Sequence, residues 1–161
     1  MLYRRLPRVD IPGATYFIGC CIEKRRHILR NSGLAELVVD LYAEARDRGD
    51  ILLHAYVVLP DHYHVVATLV TETSISRLVR KVHSLFWSRG KALLGDLVGE
   101  RIWQRRFHDH VVRDDRDWLS ILGYVHQNPV TAGLVEEPVL YPLSSCAFWE
   151  TGEGPVRCDP I

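Results

Sequence analysis

The chain lacks any apolar run approaching the ~18–20 residues that cross a bilayer, which excludes a transmembrane helix. Met1-Leu2-Tyr3-Arg4-Arg5 is not followed by an apolar segment of the kind that opens a secretory signal, so a cytoplasmic chain is expected. Net charge is missing as well. Twenty Lys and Arg balance twenty Asp and Glu, which excludes binding to polyanions by bulk charge alone but leaves room for a local basic surface. There are four cysteines and no C-x-x-C pair, so neither a zinc ribbon nor a disulfide scaffold is expected. Cys20 and Cys21 are adjacent within an apolar run and read as buried fillers. No internal repeat and no interdomain linker is visible.

What is present fits one globular domain over residues 1–161, with a core over about 10–135 and an irregular tail over 136–161. Of the 161 residues 47% are apolar and 25% charged, too apolar for disorder. Charge is unevenly placed. Between Ser74 and Arg106 eight bases (Arg77, Arg80, Lys81, Arg89, Lys91, Arg101, Arg105, Arg106) face two acids, Asp96 and Glu100. Seventeen of the twenty bases are Arg, whose planar fork suits phosphate, although Arg-favouring codon usage would give the same count.

Hydrophobic periodicity orders the elements. Thr15 to Ile22 reads as a strand, and Leu34, Leu37, Val38, Leu41, Tyr42 and Ala45 recur at helical spacing until Gly49. Ile51–Leu59 and His62–Val70 flank a Pro60-Asp61 turn and predict an antiparallel hairpin. Ser74 caps a helix with an Ile75, Leu78, Val79, Val82, Leu85, Phe86 stripe. Ile102-Trp103-Gln104 and His108 to Val112 read as short strands around an Arg-rich turn. Asp114 caps a helix burying Trp118, Ile121, Leu122 and Val125, and Pro129 predicts its end at Asn128 or within a residue. One further turn of helix is expected near Ser144 to Trp149. The order is that of an α+β, ferredoxin-like split βαβ antiparallel sheet, with helices on one face and an appended helix. Fold alone carries no function.

Two local patterns carry chemistry. In a strand, residues i and i+2 share a face, so His62 and His64 project together and suit two-imidazole chelation of a divalent ion. The same pattern also fits two structural histidines bonded to backbone or carboxylate. On the later helix, Tyr124 and Asn128 fall within roughly 40° of each other, while Gln127 reads as pointing away from the buried stripe. A tyrosine at such a boundary can equally be amphipathic packing. Taken together, a metal held by His62, His64 and Asn128 could polarise a phosphodiester for in-line attack by Tyr124. Imidazole ligands tilt the choice towards Mn²⁺ and cellular abundance towards Mg²⁺.

At these residues the chain resembles a known family. Tyr56-Val57-Val58-Leu59-Pro60-Asp61-His62-Tyr63-His64 is similar to the motif of HUH endonucleases in their single-tyrosine transposase form. Ile102-Trp103-Gln104-Arg105-Arg106-Phe107, Asp109-His110-Val111, Tyr124-Val125-His126-Gln127-Asn128-Pro129-Val130 and Gly133-Leu134-Val135 then resemble REP-associated tyrosine transposases in order and spacing. The resemblance spans roughly residues 10–148. It implies a metal-dependent nuclease and strand transferase acting on single-stranded DNA hairpins of repetitive extragenic palindromes, through a 5′-phosphotyrosine and a free 3′-hydroxyl. It implies Tyr124 as nucleophile on the appended helix, and His62, His64 and Asn128 as metal ligands, without a nucleotide cofactor. Asp61 stands where the family commonly has Asn, and Leu143 where it often has Trp. His108, His110 and His126 read as structural, with DNA contact or support of the site as the alternative.

A DNA surface is expected on the polar face of the helix from Ser74, which carries Arg77, Arg80, Ser84, Trp87 and Lys91. An aromatic among cations suits stacking on unpaired bases, although packing under the tail would also place Trp87 there. Arg105 and Arg106 are a second candidate phosphate contact. Alternatives to the nuclease reading are a non-cleaving hairpin-binding protein, a relaxase-type nickase and a hydrolase of small phosphoesters. No membrane partner is expected. A homodimer and a monomer both remain open.

Overall fold

The computed structural model describes residues 10–71 and 74–161; the segment Met1–Arg5 read above lies outside them. Four strands, β1 (Thr15–Cys21), β2 (Ile51–Leu59), β3 (His62–Leu69) and β4 (His108–Val111), form one antiparallel sheet in the order β2-β3-β1-β4. That is the ferredoxin-like arrangement the element order predicts. Trp103 adds only an isolated bridge to Ile22, so the short strand expected at Ile102–Gln104 does not form.

Alternation splits the sheet into two faces. Tyr16, Ile18, Cys20, Tyr63, Val65 and Ala67 pack against α1 (Ser32–Asp47) and α2 (Ile75–Leu94). Phe17, Ala55, Val57, Leu59 and Val66 face the other way, against Trp118 and Val125 of α3 (Asp115–Thr131). A bulge at His54 switches β2's phase, so Ile51 and Leu53 lie with Tyr56 and Val58 on the α1/α2 side. Each long helix starts on a side-chain cap, two of them the expected Ser74 and Asp114: Asn31 accepts from the Leu34 N–H, Ser74 from Arg77 and Asp114 from Asp117.

α3 runs three residues beyond the stop expected at Asn128. Pro129 sits inside its last turn, where its missing N–H forfeits a single bond. The helix then closes on Gly133 at φ +70°, with Gly133 N–H donating to Val130 and Leu134 N–H to the Pro129 carbonyl. The tail follows as a 3-10 turn (Pro138–Leu140) and α4 (Cys146–Thr151). It runs beside β2: Val58 N–H donates to Leu143, Ser145 N–H to Tyr56, and Asp159 N–H to Leu53. Among the described residues no helix is long and apolar enough to cross a membrane.

Candidate active site

The pairing register aims the two histidines. Cys21 lies opposite His62 and Gly19 opposite His64, all on the α3 side of the sheet. A Cβ on Gly19 would stand 2.9 Å from His64 Nδ1, so only glycine lets the imidazole lie down over β1. His64 stacks on Phe17, ring centres 5.0 Å apart, and His62 meets it edge-on at 4.9 Å. The two imidazoles are therefore brought together as the strand spacing predicts.

Their environments differ. His64 is nearly buried, and neither of its ring nitrogens has a hydrogen-bond partner among the described residues. Burial first, then the nearby charges of His62, His108 and Arg25, lowers its pKa to about 3, so the ring is neutral at physiological pH. His62 Nδ1 lies 2.6 Å from Asp61 Oδ1; the carboxylate accepts a hydrogen bond from Nδ1–H, which leaves Nε2 as the lone-pair nitrogen. Asp61 is itself held by Arg25 Nε at 2.9 Å. Burial raises the Asp61 carboxyl, but the His62 hydrogen bond and the charges of His62, Arg25 and His27 outweigh this and leave it below its ordinary value. Asp61 thus orients a proposed ligand, a role its place in the turn did not suggest.

α3 carries Tyr124 over this pair. The phenol ring sits edge-on to His64 at 5.4 Å and to Phe17 at 6.0 Å, and remains 55% exposed. Asn128 Nδ2 donates to the Tyr124 carbonyl at 3.5 Å, and among the described residues no hydrogen bond joins its side chain to either histidine. Asn128 and Tyr124 line a cleft of about 480 Å³ with Ser120, Gly123, Gln127 and Thr131. Gln127 therefore stands beside the tyrosine, since steps of three and four both return to one side of a helix.

The other histidines separate by partner. His110 bonds Asp117 at 2.8 Å and His126 bonds Ser145 Oγ at 2.9 Å, both between structural elements. His108 stands edge-on to Phe17 at 6.0 Å, at the rim of the site. Cys20 is buried as expected, whereas Cys21 shares the site face and accepts from Arg25 Nη1 at 2.8 Å.

Residues with three different origins meet here: two imidazoles with free nitrogen capacity, an orienting carboxylate and an exposed phenol. Among the described residues no three His, Cys, Asp or Glu side chains form a metal-holding group. The two imidazoles still suit a divalent ion that keeps open positions. Ring centres 4.9 Å apart let both imidazoles reach one ion at ordinary ligand distances of about 2 Å. Two orphaned nitrogens on a buried ring also call for a partner, because leaving such a group unpaired costs about 1–3 kcal/mol.

Of the expected DNA contacts, Arg77, Arg80, Trp87, Lys91, Arg105 and Arg106 are all exposed. Lys91 Nζ lies 5.6 Å from the centre of the Trp87 ring, and Trp87 is on the open surface of α2, 38% exposed, instead of under the tail. Arg80 and Arg105 converge in a cleft of about 520 Å³.

An antiparallel ferredoxin-like sheet thus brings paired histidines beneath a tyrosine on a covering helix, and comparison with known families places the chain in the transposase class. The Y1_Tnp family, described as "Transposase IS200 like", matches residues 11–128, and the chain belongs to it. It is 30% identical over 139 residues to the REP-associated tyrosine transposase of Escherichia coli (strain K12), covering 86% of this chain and 79% of that one. A solved structure described as a REP-associated tyrosine transposase bound to a REP hairpin superposes with a TM-score of 0.74 at 26% identity. The match covers 98% of this chain and 92% of that one.

Proposed function

We propose that this protein is a metal-dependent single-stranded DNA endonuclease and strand transferase that acts on DNA hairpins through a 5′-phosphotyrosine intermediate. The observation that carries the reading is the packing of the exposed Tyr124 phenol against His64, whose two ring nitrogens have no hydrogen-bond partner among the described residues. The hairpin substrate is supported by the relative described as bound to a REP hairpin. His62 and His64, with Asn128 after a change of its side-chain rotamer, would hold a divalent ion, Mg²⁺ or Mn²⁺, which when bound supplies Lewis-acid polarisation of a phosphate oxygen.

The chain's own residues do the rest. Asp61 keeps the His62 Nδ1 proton in place and so fixes the tautomer. Burial keeps His64 neutral and ready to donate a lone pair. α3 orients Tyr124 Oη for in-line attack on the scissile phosphorus. The P–O3′ bond breaks as the bond from Oη to phosphorus forms, the phenol's proton passes to solvent, the 3′-oxygen takes a proton from solvent and leaves as a hydroxyl, and the 5′-phosphate remains on the phenol. Attack by a 3′-hydroxyl reverses the step and rejoins DNA without ATP, because a phenol leaves more readily than an alkyl alcohol.

Incubation of the protein with a labelled palindromic-repeat hairpin in Mg²⁺ or Mn²⁺ tests the reading. Cleavage should vanish with excess chelator and in His62→Ala and His64→Ala. Undiminished cleavage in chelator would remove the metal from the mechanism.

A further inference from the structure

Lys24 and Arg25 stand apart in the backbone. Among the described residues they are the non-glycine residues with positive φ, +57° and +54°, a left-handed region that L side chains keep only where the surroundings hold them. The turn that holds them ties the end of β1 to the histidine hairpin. Ile22 N–H donates to the Asp61 carbonyl at 2.8 Å, Glu23 N–H to Ile102 at 2.8 Å and Leu29 N–H to Pro60 at 2.9 Å.

Two successive arginines leave this turn for different ends. The fork of Arg26 is spent on the fold, with Nη1 on Glu100 and Nη2 on the Arg101 carbonyl at 2.7 Å. Arg25 goes to the site instead. Its Nε lies 2.9 Å from Asp61 Oδ2, and its Nη1 donates to Cys21 Sγ at 2.8 Å. Nη2 makes no hydrogen bond among the described residues, and the side chain is 51% exposed. One guanidinium edge is therefore anchored and the other is free to meet a substrate.

The strand register sets this guanidinium and the Tyr124 phenol at opposite ends of the histidine pair. On the site face Cys21 lies opposite His62, Gly19 opposite His64 and Phe17 opposite Val66. Tyr124 packs on His64 and Phe17, whereas Arg25 holds Cys21 and the residue before His62. The order along the face is thus Arg25, His62, His64, Tyr124. In-line displacement at phosphorus sends the departing oxygen to the side opposite the nucleophile. With the phosphate over the two imidazoles and Tyr124 attacking from the His64 end, the 3′-oxygen departs towards Arg25.

We propose that Arg25 is a further catalytic residue, whose Nη2 donates to the 3′-oxygen as the P–O3′ bond breaks. The electron pair of that bond passes to the oxygen, and the guanidinium meets the growing charge with a charge-assisted hydrogen bond. A guanidinium keeps its proton in a protein, so the proton that completes the hydroxyl still comes from solvent. In the reverse step Nη2 steadies the attacking 3′-oxygen as it sheds that proton. Asp61 then aims two groups from one carboxylate, His62 through Oδ1 and Arg25 through Oδ2. Arg25 has this role only if Tyr124 cleaves DNA, so the assignment rests on the nuclease reading above.

Single-turnover cleavage of a palindromic-repeat hairpin at saturating Mn²⁺ tests it with two substrates. One has the natural linkage, and the other is a 3′-phosphorothiolate in which sulfur replaces the departing oxygen. A thiolate leaves with little help and has small need of the guanidinium. Arg25→Gln should slow cleavage of the natural linkage by about 10²–10³-fold, the usual loss when a donor aimed at developing charge is removed. On the sulfur linkage it should stay within about threefold of the wild-type rate. Arg25→Lys, which keeps the charge and loses the fork, should fall between the two on the natural linkage. The Mn²⁺ concentration for half-maximal rate should move by less than about threefold, against roughly 10–100-fold if Arg25 merely steadied Asp61. Far-UV circular dichroism should match the wild type, since the side chain is half exposed. Should Arg25→Gln fail to fold, Arg25→Lys gives the same oxygen-to-sulfur comparison. Equal losses on the two linkages, or a loss that extra Mn²⁺ restores, overturn the role of Arg25 and leave the nuclease reading standing. A wild type that cleaves neither linkage overturns the nuclease reading and the role of Arg25 with it.

Discussion

Asp61 occupies the turn directly before His62 and spends its two oxygens on different tasks. Oδ1 accepts from His62 Nδ1 at 2.6 Å, while Oδ2 meets Arg25 at 2.9 Å. An amide at this place keeps an acceptor for the imidazole but gives up the charge, whereas alanine gives up both. Asp61→Asn should therefore retain most hairpin cleavage, and Asp61→Ala should lose roughly 10–100-fold in metal affinity, the usual effect of removing a partner that orients a ligand. Titration of Mn²⁺ against single-turnover cleavage reads both values. Equal behaviour of the two variants would show that Asp61 acts on the turn and not on His62. Gly19 works in the same region by absence, since a methyl there would push into His64 at 2.9 Å.

At the scale of elements, the position of α3 decides the site, and the tail helps to hold it there. Ser145 Oγ accepts from the Tyr56 N–H at 3.0 Å and lies 2.9 Å from His126 Nε2, so one buried hydroxyl ties β2, α3 and the tail together. Ser145→Ala leaves a buried backbone donor and an imidazole nitrogen unpaired, which should cost about 2–3 kcal/mol. Urea unfolding should show the midpoint shift, and a loss below about 0.5 kcal/mol would mean that the tail docks without this bond. How much of this could be read from the sequence varies with range. The caps Asn31, Ser74 and Asp114 and the stripes of α1, α2 and α3 are local signals, and the helices begin where those signals stand. The pairing of His62 with His64 follows from strand alternation, also a local rule. The tail's bonds to Val58, Tyr56 and Leu53 join residues 85 to 106 positions apart, and nothing in the tail's irregular pattern announces a partner. Convergence of Arg80 with Arg105 was hidden for the same reason. Pro129 misled because its cost depends on where in the helix it falls, and in the last turn that cost is small.

Across the whole molecule, several imidazoles are held neutral by burial. Burial lowers His83 to about 3 and His126 to about 4, and lowers His54 in spite of its bond to the Asp159 carbonyl. In the unfolded chain these groups titrate near about 6.5. Above that value both states are unprotonated and stability is independent of them. As pH falls below it the unfolded chain takes up protons that the folded chain refuses, so stability declines down to about pH 3–4. Thermal midpoints should be flat between about pH 7 and 8 and drop steadily from about pH 6.5 to 4. A flat profile through that window would mean that the buried histidines are protonated in the fold. Zero net charge leaves little overall attraction to DNA, so any DNA affinity has to come from local surfaces.

The central claim is that Tyr124 stores the cut strand, and a denaturing gel reads this directly. Hairpin DNA labelled 3′ of the cut should migrate covalently attached to the wild-type protein, and peptide mass spectrometry should place the 5′-phosphate on Tyr124. Tyr124→Phe removes one exposed oxygen, so it should fold and bind hairpin as before while forming no adduct and no product. An adduct on another tyrosine, or a free 5′-phosphate with no adduct at any time, would contradict the account.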